Sequence, residues 1–275
     1  MHTEWSWDAV AGSMERSCSR AVELGLTSIA FTEHADHTRW VIEPEVAAGL
    51  NPVHAAMVGP DGRFNPPPLA VEDYLACLDR CRARFGGLRI LAGLEMGEPH
   101  WHTRQVEALI GAGDFDRLLG SVHTLELDGP RMIDHLIGRL DQADLMRGYL
   151  AEALRLAAST APFGVLAHID YPLRKWPAGP GRFAVADYED EYRAVLRALA
   201  ASGRALEINT MVPLPSAIVR WWYEAGGDAL TFGSDAHEPS AVARDFAHAT
   251  AMAEATGFHP GQRPHDPWRR HTSWF

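Results

Sequence analysis

Histidines and carboxylates recur at the ends of short apolar runs in this 275-residue chain. The run "TSIAF" (27–31) leads into Glu33, His34 and Asp36, and "RILAGLEM" (89–96) carries Glu95. "RLLGSVH" (117–123) ends on His123, "GVLAHID" (164–170) on His168 and Asp170, and "ALEINT" (205–210) holds Glu207 and Asn209. "ALTFGSD" (229–235) ends on Asp235, with His237 just beyond. A single histidine in a strand is ordinarily a hydrogen-bonded core residue, and a single acid after a strand is ordinarily a helix N-cap or a solvated loop residue. Joint occurrence at successive run ends needs another account, and metal ligation supplies one. With His2 and Asp8 from the opening "MHTEWSWD", the candidate ligands are His2, Asp8, His34, Glu95, His123, His168, Asp235 and His237. Imidazole and carboxylate donors without a thiolate suit Zn, Mn or Fe, and so many donors exceed one tetrahedral site. The expectation is two or three divalent metal ions, with carboxylates such as Glu95 and Asp235 bridging.

Such residues can meet only if the run ends converge. The runs are continuously apolar, the pattern of strands buried on both faces. Between them, 12–25, 71–85, 101–112, 142–159, 187–202, 214–225 and 239–256 are rich in Ala, Leu, Glu and Arg, with apolar residues at helical spacing. Strand–helix alternation predicts an α/β fold with a parallel sheet and right-handed crossovers. In a parallel barrel the carboxyl ends of the strands share one face. The first helical stretch has no strand before it, and a strand upstream would complete seven βα units. A single domain is expected over 1–275. Residues 41–70 form a Pro/Gly-rich long loop or insertion near the active-site face. The tail 258–275 reads as irregular, with Trp268, Trp274 and Phe275 docking on the body.

Charge and composition exclude several classes. The chain has 36 acids against 25 Lys and Arg, a net charge of −11, and no basic stripe. A nucleic-acid or anionic-membrane partner is therefore not expected. No apolar run approaches the ~20 residues that span a bilayer, and residues 1–15 lack the apolar core of a signal peptide. The 3 cysteines, Cys18, Cys77 and Cys81, show no CxxC pairing and read as small buried residues in a reducing, cytoplasmic setting.

Taken in order, "HTEWSWD", "TEHAD", "GLEMG", "GSVHTL", "LAHID" and "FGSDAH" resemble the motifs of the PHP (polymerase and histidinol phosphatase) superfamily over nearly the whole chain. "TEH" and "GSVH" are most similar to its histidinol-phosphatase branch. The resemblance implies a distorted (βα)7 TIM-like barrel with a trinuclear site. It assigns His2 and Asp235 to a first metal, His123 and His168 to a second with Glu95 bridging, and Asp8, His34 and His237 to a third. It also implies hydrolysis of a small phosphate ester, histidinol phosphate being the best guess, by metal-activated hydroxide. Arg174 and Lys175 in "YPLRKWP" are then the candidate catalytic cations that clamp phosphate. His37, Arg39 and Asn209 are candidates for substrate binding, as are His100 and His102. One motif departs from the family pattern: the opening His-x-His is represented only by its second histidine, His2. A displaced start, with a strand and one more histidine ahead of residue 1, is the expectation. A truncated first motif is the alternative and would allow a non-catalytic metal-binding domain. The other rivals are a PHP phosphoesterase for another small phosphate and a PHP nuclease, which the acidic charge disfavours.

Overall fold

The computed structural model of the chain describes residues 1–176 and 183–270. Its centre is a run of parallel strands: β1 (Ser28–His34), β2 (Arg89–Gly97), β3 (Arg117–Ser121), β4 (Val165–Leu166), β5 (Ala205–Asn209) and β6 (Ala229–Gly233). Each is hydrogen-bonded to the next in that order, with Ala30 opposite Leu91 and Leu119 opposite Val165. Every residue of β2 after Arg89 is buried. A strand with helices on one face and a barrel interior on the other has no solvent side, hence the continuous apolar runs. The longer helices are α1 (Met14–Glu23), α2 (Val71–Arg84), α3 (Thr103–Ile110), α4 (Gln142–Ala158), α5 (Glu189–Ala201), α6 (Ser216–Glu224) and α7 (Phe246–Thr256). In α4 the Asp141 side chain accepts from the N–H groups of Ala143 and Asp144, satisfying donors that a helix start leaves free. Its Leu145, Tyr149, Ala153 and Leu156 then form a buried stripe.

Two elements differ from expectation. The run 164–170 pairs at only two residues, because the chain leaves the sheet before His168, whose φ is 25°. The tail is also more regular than its composition suggests. Strands β7 (Phe258–His259) and β8 (Trp268–Arg270) pair antiparallel, and β8 adds antiparallel to β6, completing an eight-stranded sheet. Trp268 meets Phe232 edge-on at 5.0 Å, so it does dock on the body. Trp274 and Phe275 lie outside the described residues.

The sheet curls into a distorted TIM-like barrel. Strands β1 and β6 come round to face each other across a cavity of about 210 Å³ lined by Ile29, Ala30, Leu119, Val165, Leu230 and Phe232. Among the described residues the strand on that edge of β6 is the antiparallel β8, whose Trp268 pairs with Leu230 and lines the same cavity; no parallel strand lies there, where a further one was expected. Met1 and His2 join the two at the carboxyl end: Thr32 N–H donates to the Met1 carbonyl, and His2 N–H to the Ala236 carbonyl, each at 2.9 Å. The segment 41–70 holds two short helices, Pro44–Ala48 and Pro52–Ala55, and a ribbon in which Trp40–Val41 pairs with Arg63–Phe64. Trp40 stacks on Phe64 at 4.6 Å, and Trp7 packs against both. The cysteines sit buried among α1, α2 and the sheet and are free thiols; burial pushes Cys81 up to about 11. No helix among the described residues is long and apolar enough to cross a membrane.

Candidate metal centre

The eight predicted ligands converge at the carboxyl ends of the strands. From the N-terminal loop, His2 Nε2 stands 3.3 Å from Glu95 Oε2 and 3.1 Å from Asp235 Oδ1. The other Glu95 oxygen, Oε1, lies 2.7 Å from His168 Nε2 and 3.0 Å from His123 Nε2. One carboxylate therefore faces two groups of donors, the arrangement of a bridging ligand. Asp8 Oδ2 lies 3.2 Å from His34 Nε2 and 3.0 Å from His237 Nε2, forming a third group. Backbone geometry aims these side chains: His168 (φ 25°) and Asp235 (φ 48°) adopt left-handed conformations at the ends of β4 and β6. Such conformations cost about 1–3 kcal/mol each and cluster at functional sites.

Without a cation these groups are poorly matched. His123 Nε2 and His168 Nε2 face each other at 3.3 Å. His2 Nε2, Asp8 Oδ1 and His168 Nδ1 are buried without a hydrogen-bond partner. Around one ion with bonds of about 2.1 Å, tetrahedral donors stand about 3.4 Å apart; the contacts above run from 2.7 to 3.3 Å, so the closest pairs would open by several tenths of an ångström around an ion. Several sets of these side chains bring ligand atoms close enough to hold an ion, including His2, Glu95 and Asp235, and Glu95, His123 and His168. The donors fit divalent metal. Burial would push the Glu95 carboxyl up, but His168, His123 and His2 outweigh it and hold it well below the usual range. Burial likewise opposes ionisation of Asp8, yet His34 and His237 keep it low. The reciprocal effect raises His34 to about 10 against its own burial, through Asp8 and Asp36.

Comparison with known families agrees with this geometry. Residues 1–211 match the model of the PHP domain. The chain belongs to the PHP family. It is 24% identical over 250 residues to the histidinol-phosphatase of Lactococcus lactis, covering 88% of this chain and 84% of that protein. It is 27% identical over 260 residues to a probable histidinol-phosphatase of Deinococcus radiodurans, covering 90% and 88%. The crystal structure of the Lactococcus lactis histidinol phosphate phosphatase, complexed with zinc, L-histidinol and phosphate, superposes with a TM-score of 0.75 at 23% identity, over 94% of this chain and 92% of that one. The likeness is one of fold.

In this PHP domain the other predicted residues divide by location. Arg174 lines the opening of the metal centre, ion-pairs with Asp235 and lies over the Tyr171 ring at 4.6 Å. Lys175 turns away to Asp134, at 2.5 Å. Arg39 is exposed and bound to Asp61 and Asn65 within the 41–70 segment, outside the opening. Asn209 is buried beneath the centre and donates to Glu207 at 2.8 Å and Asp235 at 3.2 Å. His37 lies beside His102, ring centres 6.0 Å apart; His102 bonds Thr38, and His100 bonds Glu152 at 2.7 Å. None of these three histidines lines the opening. Other residues at the centre carry no assigned role from sequence. Asp36 holds the outer nitrogens of His34 and His123, each at 3.4 Å, and accepts from Trp7 Nε1 at 2.8 Å. Glu98 accepts the backbone N–H groups of His123 and Thr124. Asp36 was visible in "TEHAD"; Trp7 and Glu98 gave no signal before the loops were placed.

Proposed function

We propose that this PHP domain is a metal-dependent phosphomonoester hydrolase acting on histidinol phosphate, with two or three divalent ions (Zn, Mn or Fe) held by His2, Asp8, His34, Glu95, His123, His168, Asp235 and His237. The observation that carries the reading is the shared carboxylate: Glu95 faces His2 with one oxygen and His123 and His168 with the other. That is a multinuclear donor set, in a fold similar to that of a phosphatase crystallised with zinc, histidinol and phosphate. When bound, the ions supply Lewis-acid neutralisation of phosphate charge and activation of water. The chain's own residues then position. Arg174 offers a guanidinium beside the ions, where it can exchange part of its pairing with Asp235 for a phosphate oxygen, a charge-assisted contact that strengthens as charge develops. Trp7, Met132 and Tyr171 wall the opening and limit water around the ester. Protein loaded separately with Zn, Mn and Fe is assayed for phosphate release from histidinol phosphate and a panel of small phosphomonoesters. Preference for histidinol phosphate supports the substrate; equal rates across the panel remove it and leave the hydrolase. No release with any metal would return the reading to a metal-binding domain.

A further inference from the structure

Beneath His2 lies a chain of buried polar contacts that the ligand set leaves unexplained. Glu33 is fully buried, and among the described residues no salt bridge reaches it. Its carboxylate takes three donors: Thr3 N–H at 2.9 Å and Ser6 O–H at 2.5 Å on Oε2, and Thr3 O–H at 2.6 Å on Oε1. Ser6 Oγ also accepts the His34 backbone N–H at 2.9 Å and stands 3.2 Å from His2 Nδ1. A hydroxyl has one proton, and that of Ser6 is committed to Glu33. Towards His2 it can therefore only accept. Nδ1 of His2 must carry the ring hydrogen, which leaves the lone pair on Nε2, the nitrogen that faces Glu95 and Asp235 and has no hydrogen bond.

We propose that Ser6, oriented by Glu33, is a positioning residue that locks His2 in its Nδ1–H tautomer and so presents Nε2 to the ion shared with Glu95 and Asp235. The proposal rests on the metal reading above and is independent of the substrate. The relay also couples two ligands, because the same hydroxyl ties the β1 backbone at His34 to the loop carrying His2. Outer partners of this kind are worth 10- to 100-fold in metal affinity.

The test needs no substitution at first. Nitrogen-15 spectra of the metal-free full-length protein at pH 8 read the His2 tautomer directly, assigned by loss of the signal in His2→Ala. The Nδ1–H form is expected; the Nε2–H form overturns the proposal. Zinc titration by calorimetry then compares wild type with Ser6→Ala. The site holding His2 is expected to weaken 10- to 100-fold and the site holding His34 by less. The metal-free variant melts several degrees lower, because Glu33 and the His34 N–H each lose a buried partner, and its His2 signal departs from the Nδ1–H form. Unchanged affinity at every site overturns the proposal, as does a mixed tautomer in wild type. Wild type that binds no zinc overturns the metal reading and this proposal with it. Wild type that binds zinc but hydrolyses no phosphomonoester removes only the proposed reaction.

Discussion

Glu207 shows how much a single buried acid can shape this centre. Burial first, then Glu95 and Asp235 nearby, raise its carboxyl to about 7, and a Cβ at Gly233 would come within 2.4 Å of its Oε2. Below about pH 4.5 the group is protonated in folded and unfolded chains alike. As pH rises to about 7 only the unfolded chain ionises it, so the metal-free fold loses stability across that window. Glu207→Gln keeps an oxygen for Asn209 and His168 N–H and removes the charge. We expect the metal-free variant to melt several degrees above wild type at pH 8 and close to it at pH 4.5; a constant difference sinks the idea. Arg174→Met should lower kcat/KM for the phosphate ester about 100- to 1,000-fold, the usual cost of losing one group that stabilises transition-state charge, while Lys175→Met changes it less than threefold. That contrast shows where residue-level reading reached its limit. Both cations are visible in "RK", but their directions depend on a 3₁₀ turn, Tyr171–Lys175. Three residues per turn put Arg174 over Tyr171 and swing Lys175 about a third of a turn away.

At the scale of elements, strands and helices were legible because burial on both strand faces and on one helix face writes itself into residue type. Loop docking was not, since it depends on partners far away in sequence. The 41–70 segment reads as a long Pro/Gly loop, yet Trp40 and Phe64 fasten it to Trp7. The N-terminal loop is the clearer case, because two ligands depend on its path. A Cβ on Gly12 would lie 2.6 Å from the Thr3 carbonyl carbon and 2.7 Å from its Cα. Gly12→Ala must shift the backbone at Thr3. Overpacking of this kind costs about 1–3 kcal/mol, and displacement of His2 and Asp8 should weaken zinc binding at least tenfold. Gly86→Ala, where a Cβ meets open space, is the control. Equal zinc affinity in the two variants would show that the loop tolerates the shift and that its close approach has no role in ligation.

For the whole molecule, a parallel barrel-like sheet followed from strand–helix alternation, and the shared face at its carboxyl end followed from the fold. The gap between β1 and β6 was legible only as a helix without a strand ahead of it; that β8 pairs at one end of β6 there, while Met1 and His2 bridge the other end, belongs to tertiary structure. The global charge arrangement makes its own prediction. In the metal-free fold, burial lowers the His34 imidazole, but Asp8 and Asp36 outweigh it and raise it to about 10. His123 and His237 are raised as well, against burial, by Asp36 with Glu95 and by Asp8. A raised histidine stabilises the fold fully below its unfolded value of about 6.5 and loses that contribution as pH climbs through the folded value. Bound metal replaces the proton, so the loaded protein does not suffer the loss. Chelation should therefore lower the melting temperature from pH 6.5 to 9, and the gap should widen across that range. At zinc a hundredfold above Kd the stabilisation is about 2.7 kcal/mol, roughly 5–10 °C for a chain of this size. Zinc uptake at pH 7 should also release protons, read as heats that change with the ionisation enthalpy of the buffer. A gap that narrows with pH, or heats independent of buffer, would mean that these histidines are already neutral before metal arrives.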